Sequence, residues 1–492
     1  MAIVYLLLTI GALTTLYPFG MMLMTGFKGP TDQNDNKLIP AFWGDEKELL
    51  TKYIDDKYSG DASWMAHAAA SNPAGADVET YEKWLSELPP TEWIAAFRMP
   101  GNHVTSRLNV RWQDWLKTKY PTVQEVNEAF NEINGAYQQV TPPPERLDQP
   151  GWKPKGDQKW RDWMEFKETL PVEYRVPLTH RRLFQEFLRV KTKNQLGDVP
   201  PVLLGEAKAF EEIVLPASAS VDPLVADFES AGIPEVLKGK PSLESRFGGE
   251  LPLAAQNEAF VSANAATIRH EFTWRNYRYV IDYILLNGRA VVNTVVFCLL
   301  VILVQLTVNP LAAYALSRFP MKATGKILLF LLATMAFPAE VAMIPSFLLL
   351  KDLNLLNTFA ALVLPTAASG YMIFLLKGFF DSLPQEVFES GQIDGAPEWK
   401  MMLKIAFPLS RPVFGYMALL AFMGAYGAFI YAFLVAQNRE MWTLMVFIYQ
   451  LQLIAPKAVV MAAVTIAALP TLLVFLFAQR VIMRGIVLPG ER

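Results

Sequence analysis

Hydrophobic positions are unevenly distributed along this chain. From Met1 to Phe27 no residue is charged and most are apolar. A long polar stretch of mixed charge follows, running to about Asn287. Apolar runs then return at roughly 290–317, 327–350, 353–376, 412–436 and 458–479. A run of about 18 or more apolar residues is long enough to cross a bilayer as a helix. The pattern therefore predicts six transmembrane helices, one ahead of the polar stretch and five after it. Met1–Phe27 lacks a positive leading segment and has no small-residue cleavage site before Lys28, so it reads as a retained first helix and not as a signal peptide. Tyr17 and Pro18 near its end suit an interface anchor and a tolerated kink.

Basic residues between the runs set an orientation. The joint after span two carries Arg318, Lys322 and Lys326 and no acid. The loop after span four carries Lys377, Lys400, Lys404 and Arg411, and the tail carries Arg480, Arg484 and Arg492. The opposite side has only Lys351, Arg439 and Lys457 near its short loops. By the positive-inside rule the first three segments are cytoplasmic. Six spans place both termini in the cytoplasm and residues 28–287 largely outside it. The chain then divides into a first helix (1–27), an extracytoplasmic insertion (28–271) and a five-helix core (272–492) with a cytoplasmic loop at 381–411.

Composition agrees with a part-membrane protein. Of 492 residues, 52% are hydrophobic and 18% charged, and the mean hydropathy is +0.22. The net charge of −3 gives no electrostatic case for nucleic acid. Cys298 is the only cysteine, so no disulfide forms within the chain. No G-x-x-x-x-G-K-[ST] phosphate loop is present, so any ATP that drives this protein is bound by another chain.

The insertion is rich in tryptophan: Trp43, Trp64, Trp84, Trp93, Trp112, Trp115, Trp152, Trp160 and Trp163. Its strand alternation is weak and its helical signals are frequent. Thr122–Glu125 reads as a capping box opening a helix over Val123–Asn131, and Arg181–Val190 is amphipathic. The prolines at 141–144 and 150–155 suggest a joint. A mainly helical domain is expected. His67, His103, His180 and His270 show no metal-ligand spacing, and Asp55–Asp56 reads as a solvated pair. No catalytic residue and no metal site is predicted. The stretch from Trp112 to Phe130 faintly resembles a helical segment of β-galactosidase-like glycosidases. The tryptophans suit the core of a helical domain; stacking on sugar rings is their other use.

The most specific local pattern is the polar loop Glu389–Pro408, ESGQIDGAPEWKMMLKIAFP. Ser382 with Gln385 reads as a capping box, and Pro384 suits a first helical turn. A short helix over about Pro384–Asp394 is expected, ended by a positive φ at Gly395. Pro397 and Glu398 suit the start of a second helix, which Pro408 closes. Glu389, Gly395, Ile405 and Pro408 fall at the spacing E-x5-G-x9-I-x2-P.

That spacing resembles the cytoplasmic "EAA" loop of permease subunits in binding-protein-dependent ABC importers. Asn293-Thr294, the run Ala312–Phe319, Ile344-Pro345 and Leu355–Thr358 add to it, and together they look like the sugar-importing, maltose-type permeases. The resemblance covers about 272–492 closely and Met1–Phe27 loosely. One departure is that the family's Glu-Ala-Ala is Glu389-Ser390-Gly391 here; the insertion is the other.

The resemblance implies an all-α polytopic membrane protein of the type I ABC importer permease fold, in the cytoplasmic (inner) membrane, importing a carbohydrate. Glu389, Ser390, Gly391, Asp394, Gly395, Ile405 and Pro408 would couple it to ATPase. Two ATPase subunits binding ATP and Mg, a second permease subunit and an extracytoplasmic sugar-binding protein are the implied partners, beside the lipid bilayer. The chain itself would be no enzyme and hold no cofactor.

Polar groups inside the spans are candidates for the translocation path: Asn293, Gln305, Asn309 and Tyr314 in span two, Glu340 in span three, and Tyr426 and Tyr431 in span five, with Asn438 beyond it. Glu340 is the one charge well inside a span, where insertion costs about 2.5–3.5 kcal/mol. The same side chains also hold helices together. The alternative reading is a membrane-tethered sugar-binding or glycosidase-like ectodomain.

Overall fold

The computed structural model describes residues 1–70, 77–98, 104–286, 289–319, 321–336 and 338–484. His103 and Arg492, and the side chains of Arg480 and Arg484, lie outside the described residues. The chain divides into two compact units, Met1–Tyr279 with Ile454–Ala462, and Val280–Leu453 with Ala463–Arg492.

In the first unit, α1 (Ala2–Thr25) leaves its apolar side chains exposed over most of its length and accommodates Pro18. Its end is held by Tyr277, whose hydroxyl donates to Leu23 O at 3.1 Å, and by Asn276, whose Nδ2 donates to Gly26 O at 2.9 Å. The Tyr277 bond takes up one of the free carbonyls of the last helical turn.

The rest of this unit is mainly helical, as the weak strand signal predicts. Helix α2 (Glu46–Lys57) starts at Asp45, which accepts from the amides of Lys47 and Glu48. Ser106, Asp157 and Thr179 likewise cap α3 (Arg107–Lys119), α4 (Gln158–Glu168) and α5 (His180–Lys191). Helix α6 (Leu253–Val280) kinks at Asn264, whose Nδ2 donates to Phe260 O at 2.9 Å. A short antiparallel pair, β1 (Trp93–Ala95) and β2 (Arg175–Pro177), aligns Ile94 with Val176. The box at Thr122 forms in part: Thr122 Oγ1 accepts from Glu125 N at 3.3 Å and donates to Glu125 Oε1 at 2.9 Å, opening the helix Val123–Phe130.

Two apolar cores fill this unit, one around Trp93, Trp112, Trp163 and Phe166, the other around Phe184, Leu188 and Phe228. Asp56 is not solvated as the sequence suggests. It is buried, and Arg275 donates to its two oxygens at 3.0 and 2.8 Å. An i,i+1 acid pair on a helix faces two directions, and here one of the two faces inward.

The second unit holds α7 (Ala290–Arg318), α8 (Thr324–Met335), α9 (Ala339–Asp352), α10 (Gly370–Asp381), α11 (Gln385–Ile393), α12 (Glu398–Met401) and α13 (Arg411–Tyr426). Helices α14 (Leu444–Ile454) and α15 (Lys457–Arg484) close the chain. Three helices are long and apolar enough to cross a membrane alone: Ile3–Thr25, Ala290–Arg318 and Lys457–Gln479. Counting each bent helix pair as one span gives up to six.

The expected runs differ in detail. Span three is two helices, with Pro338 at the N-cap of α9. Glu340, expected well inside a span, therefore stands exposed in the first turn of α9, where the helix dipole favours an acid. Span four starts later than the hydropathy suggests, because Asn354 and Asn357 turn the chain with φ of 56° and 60°. Helix Phe359–Val363, extended by one 3₁₀ turn to Thr366, and α10 follow, bent by 50°. Span five breaks after Tyr426 and resumes at Ile430–Val435. Helix α14 is too short to register as a span and went unpredicted.

Candidate functional site

The loop after α10 begins at Pro384, which precedes α11. The predicted capping box does not form. Ser382 Oγ donates to Phe379 O at 2.7 Å, and Gln385 Nε2 donates to Glu389 Oε1 at 2.9 Å. Both polar groups find nearer partners: Ser382 bonds back into α10, and Gln385 reaches one turn along α11. The other end of α11 behaves as the sequence predicts. Gly395 has φ of +70°, its amide donates to Gln392 O at 2.9 Å, and Ala396 N donates to Gly391 O at 3.0 Å. This pair of bonds is the Schellman stop, and glycine supplies the left-handed conformation it needs.

After the turn come α12, a wide turn over Met402–Ala406 and Phe407–Leu409. Pro408 lies inside that last segment and does not itself end it. The break comes at Ser410, and the helices on either side of it cross at 81°.

The loop has two faces. Phe388, Met401 and Ala406 are buried against Tyr314, Phe380 and Leu383. Gly391 belongs to this packed face, since an added Cβ would stand 3.5 Å from Ile405 Cδ1. Glu389, Ser390, Asp394 and Gly395 are exposed. The loop's most exposed apolar side chains are Ile393 (86%) and Trp399 (64%). Neither was singled out in the sequence, although an apolar residue on each side of a glycine stop in a polar loop is a visible signal.

The last turn of α7 meets this loop. Tyr314 OH donates to Glu398 Oε2 at 2.9 Å. Ser317 Oγ donates to Asp381 Oδ1 at 2.7 Å, and the Arg318 guanidinium donates to Phe380 O at 2.7 Å. Arg318 Cζ lies 3.6 Å from the centre of the Phe388 ring. Glu398, Arg318 and Phe388 were not foreseen as partners, because their pairing crosses 60 or more positions of sequence.

A cavity of about 450 Å³ lies in the same unit, lined by apolar residues such as Phe297, Val301, Met343 and Leu420. Its polar lining is Gln305, Ser346, Thr366, Ser369 and Tyr431. Of the sequence-predicted path residues, Gln305 and Tyr431 are thus brought to it. Asn293, Asn309, Tyr314, Glu340 and Tyr426 are not among its lining residues.

Most of these polar groups serve the backbone. Gln305 Nε2 donates to Thr366 O at 2.7 Å, and Asn309 Oδ1 accepts from Ser369 N at 2.8 Å. Those two bonds satisfy groups freed where the helix is broken between Thr366 and Gly370. Asn293 Nδ2 donates to the carbonyls of Glu440 and Trp442 at 2.7 and 3.0 Å. Tyr426 and Tyr431 donate to Ala467 O and Ala361 O at 2.6 and 2.8 Å. At Asn438 it is the backbone amide that bonds, to Asn357 Oδ1 at 2.7 Å.

Among its described residues the insertion shows no exposed aromatic platform. None of its nine tryptophans is exposed, and Trp93, Trp112 and Trp163 are wholly buried. In the glycosidase-like stretch Trp112 stacks on Trp115 at 5.4 Å and on Phe130 at 6.3 Å, as core.

Comparison with known proteins places the second unit. The family described as the binding-protein-dependent transport system inner membrane component matches residues 308–487. Protein LplC of Bacillus subtilis (strain 168) is 30% identical over 236 residues, covering 44% of this chain and 78% of that protein. The polygalacturonan/rhamnogalacturonan transport system permease protein YtcP of the same organism is 27% identical, over 47% of this chain and 86% of YtcP. The maltodextrin transport system permease protein MalD of Streptococcus pneumoniae (strain ATCC BAA-255 / R6) is 30% identical, over 42% of this chain and 76% of MalD. A crystal structure of a bacterial ABC transporter involved in the import of the acidic polysaccharide alginate aligns at 23% identity with a TM-score of 0.38, over 42% of this chain and 78% of that one. The insertion falls outside the family match.

Proposed function

The chain belongs to the family of binding-protein-dependent transport system inner membrane components, and from that premise we propose that it passes a carbohydrate across the cytoplasmic membrane while separate ATPase subunits drive it through the 389–408 loop. It is a permease component of an ABC importer and not an enzyme. The observation that carries the coupling role is the loop's exposed face. A nine-residue helix, stopped at Gly395, presents Ile393 and Trp399 to solvent beside Glu389 and Asp394. Exposed aromatic and aliphatic anchors ringed by polar groups suit insertion into a partner's cleft.

The named substrates of YtcP and MalD support a carbohydrate cargo. The cavity beside α7 is this subunit's share of the path, with sugar faces against its apolar walls and hydroxyls toward Gln305, Ser346 and Tyr431. The working assembly contains two ATPase subunits holding ATP and Mg, a second permease subunit and an extracytoplasmic sugar-binding protein. Both termini are cytoplasmic and residues 28–287 lie largely outside.

The test is co-purification of the tagged chain from its native membrane in mild detergent. Wild-type chain should retain an ATPase and a second permease. Gly395→Pro, which cannot adopt a positive φ, and Trp399→Ala should lose the ATPase while the chain remains inserted. Wild-type retention in both variants would overturn the coupling role.

A further inference from the structure

Tyr314, Ser317 and Arg318 stand at i, i+3 and i+4 in the last turn of α7, so their side chains share one face. That face touches the loop on both sides of its glycine stop. Arg318 covers the ring of Phe388 on α11, with its Cζ 3.6 Å from the ring centre. Tyr314 reaches Glu398 on α12 at 2.9 Å. Ser317 and Arg318 also hold the end of α10 through Asp381 and Phe380 O. Tyr314 packs edge-on to Phe380 with ring centres 5.9 Å apart, and it is only 4% exposed. The opposite half of α7 forms the cavity wall at Phe297, Val301 and Gln305. A 29-residue helix spans roughly 44 Å at 1.5 Å per residue. One continuous helix, with Pro310 inside it, thus joins the cavity wall to both arms of the loop.

We propose that Tyr314 and Arg318 are positioning residues that clamp the loop to α7, so that loop and helix move as one body when the ATPase moves the loop. Tyr314, which the sequence suggests for the translocation path, belongs to this clamp and not to the cavity lining. The inference rests on the coupling role proposed above. It assigns transmission to two residues outside the E-x5-G-x9-I-x2-P spacing. The two contacts differ in chemistry. Tyr314 needs only an acceptor at position 398, so Glu398→Gln should preserve it. Arg318 needs a planar cation over Phe388, so Arg318→Lys should preserve it poorly.

The experiment is a pulsed electron-resonance distance measurement on the assembled transporter. Spin labels go on Leu303→Cys in α7 and Glu386→Cys in α11, both exposed positions, with Cys298 replaced by Ala. In the otherwise wild-type complex the distance should be narrow and the same without nucleotide and with ATP plus vanadate. Adding Tyr314→Phe and Arg318→Leu should broaden it and make it differ between the two conditions, with the ATPase still bound. Glu398→Gln should leave it narrow. A wild-type distance that itself changes with nucleotide would overturn the clamp, as would variants that stay narrow. Loss of the ATPase from the Tyr314→Phe and Arg318→Leu complex alone would also overturn it, by assigning these residues to the loop's fold. Absence of an ATPase from the wild-type complex is a separate outcome, which removes the coupling role itself.

Discussion

A Cβ added to Gly391 would stand 3.1 Å from the Sδ and 3.4 Å from the Cγ of Met401. Gly391 lies on α11 and Met401 on α12, so this contact sets how closely the two arms of the loop pack. Related permeases are expected to carry alanine here, and Met401 fills the space a methyl group would take. Gly391→Ala would gain up to about 1 kcal/mol of helix propensity and needs Met401 to shift by a few tenths of an ångström, which a flexible thioether side chain allows. Thermal unfolding should therefore change by less than about 1 kcal/mol, with the ATPase retained. Gly391→Val overfills the same space and should cost about 1–3 kcal/mol, with the ATPase lost. Equal behaviour of the two variants would show that this contact does not set the packing.

The Asp56–Arg275 pair predicts a larger effect in the insertion. Burial alone would raise the Asp56 carboxyl, but Arg275 outweighs it and holds the group below the usual carboxylate range. Arg275→Leu leaves a buried carboxylate without its partner, a change worth about 3–5 kcal/mol. Adding Asp56→Leu should restore much of that loss, since an apolar pair needs no counter-charge. The folded carboxyl titrates lower than the unfolded one. The pair's contribution is therefore full above the ordinary carboxylate pKa and is lost as pH falls through the depressed value. Thermal unfolding followed by tryptophan fluorescence reads both effects; a double variant no better than Arg275→Leu would refute the account.

His67 also loses stability in acid, by a different route. Burial, with Arg182 and Arg181 adding to it, pushes the imidazole down to about 3. Its Nδ1 is buried with no hydrogen-bond partner among the described residues. As pH falls below about 6.5 the unfolded chain takes up a proton that the folded chain refuses. Stability should therefore decline from about pH 6.5 toward 3, by up to about 1.4 kcal/mol per pH unit. The melting temperature of His67→Leu should fall less steeply across that window. Parallel slopes for the two proteins would show that another group controls the acid response.

What could be read from the sequence followed the range of the interactions. The stop at Gly395 was legible because a Schellman motif is local and only glycine takes its φ readily. The fill of the insertion core by tryptophan was legible from side-chain area alone. The capping box at Ser382 was misread because two partners of equal local rank, Phe379 O and Glu389, competed for the same groups. Span three and span four were drawn straight because hydropathy does not see a break. Pro338, Asn354 and Asn357 mark those breaks. The contacts of Tyr314 and Arg318 with the loop were beyond reach, since no local pattern pairs residues so far apart.

Asn309 shows what a polar residue in a span is for when it lies outside the cavity. It is wholly buried; its Nδ2 donates to Gln305 O at 2.9 Å and its Oδ1 accepts from the freed amide of Ser369 at 2.8 Å. Asn309→Ala leaves that amide unsatisfied at a helix break, at a cost of about 1–3 kcal/mol. Asn309→Asp keeps an acceptor for Ser369 but gives up the donor to Gln305 O and buries a charge, so it should lie no higher in stability than wild type. The bond also fixes the start of α10, whose Met372 lines the cavity. Thermal unfolding of the detergent-solubilised transporter should therefore place Asn309→Ala below wild type, and its carbohydrate uptake should fall with it. Gln305→Ala removes the companion bond to Thr366 O and a cavity-lining amide together. It should reduce uptake more than stability. If Asn309→Ala unfolded as wild type does, the broken helix would not depend on this side chain, and Asn309 would return to the candidates for the translocation path.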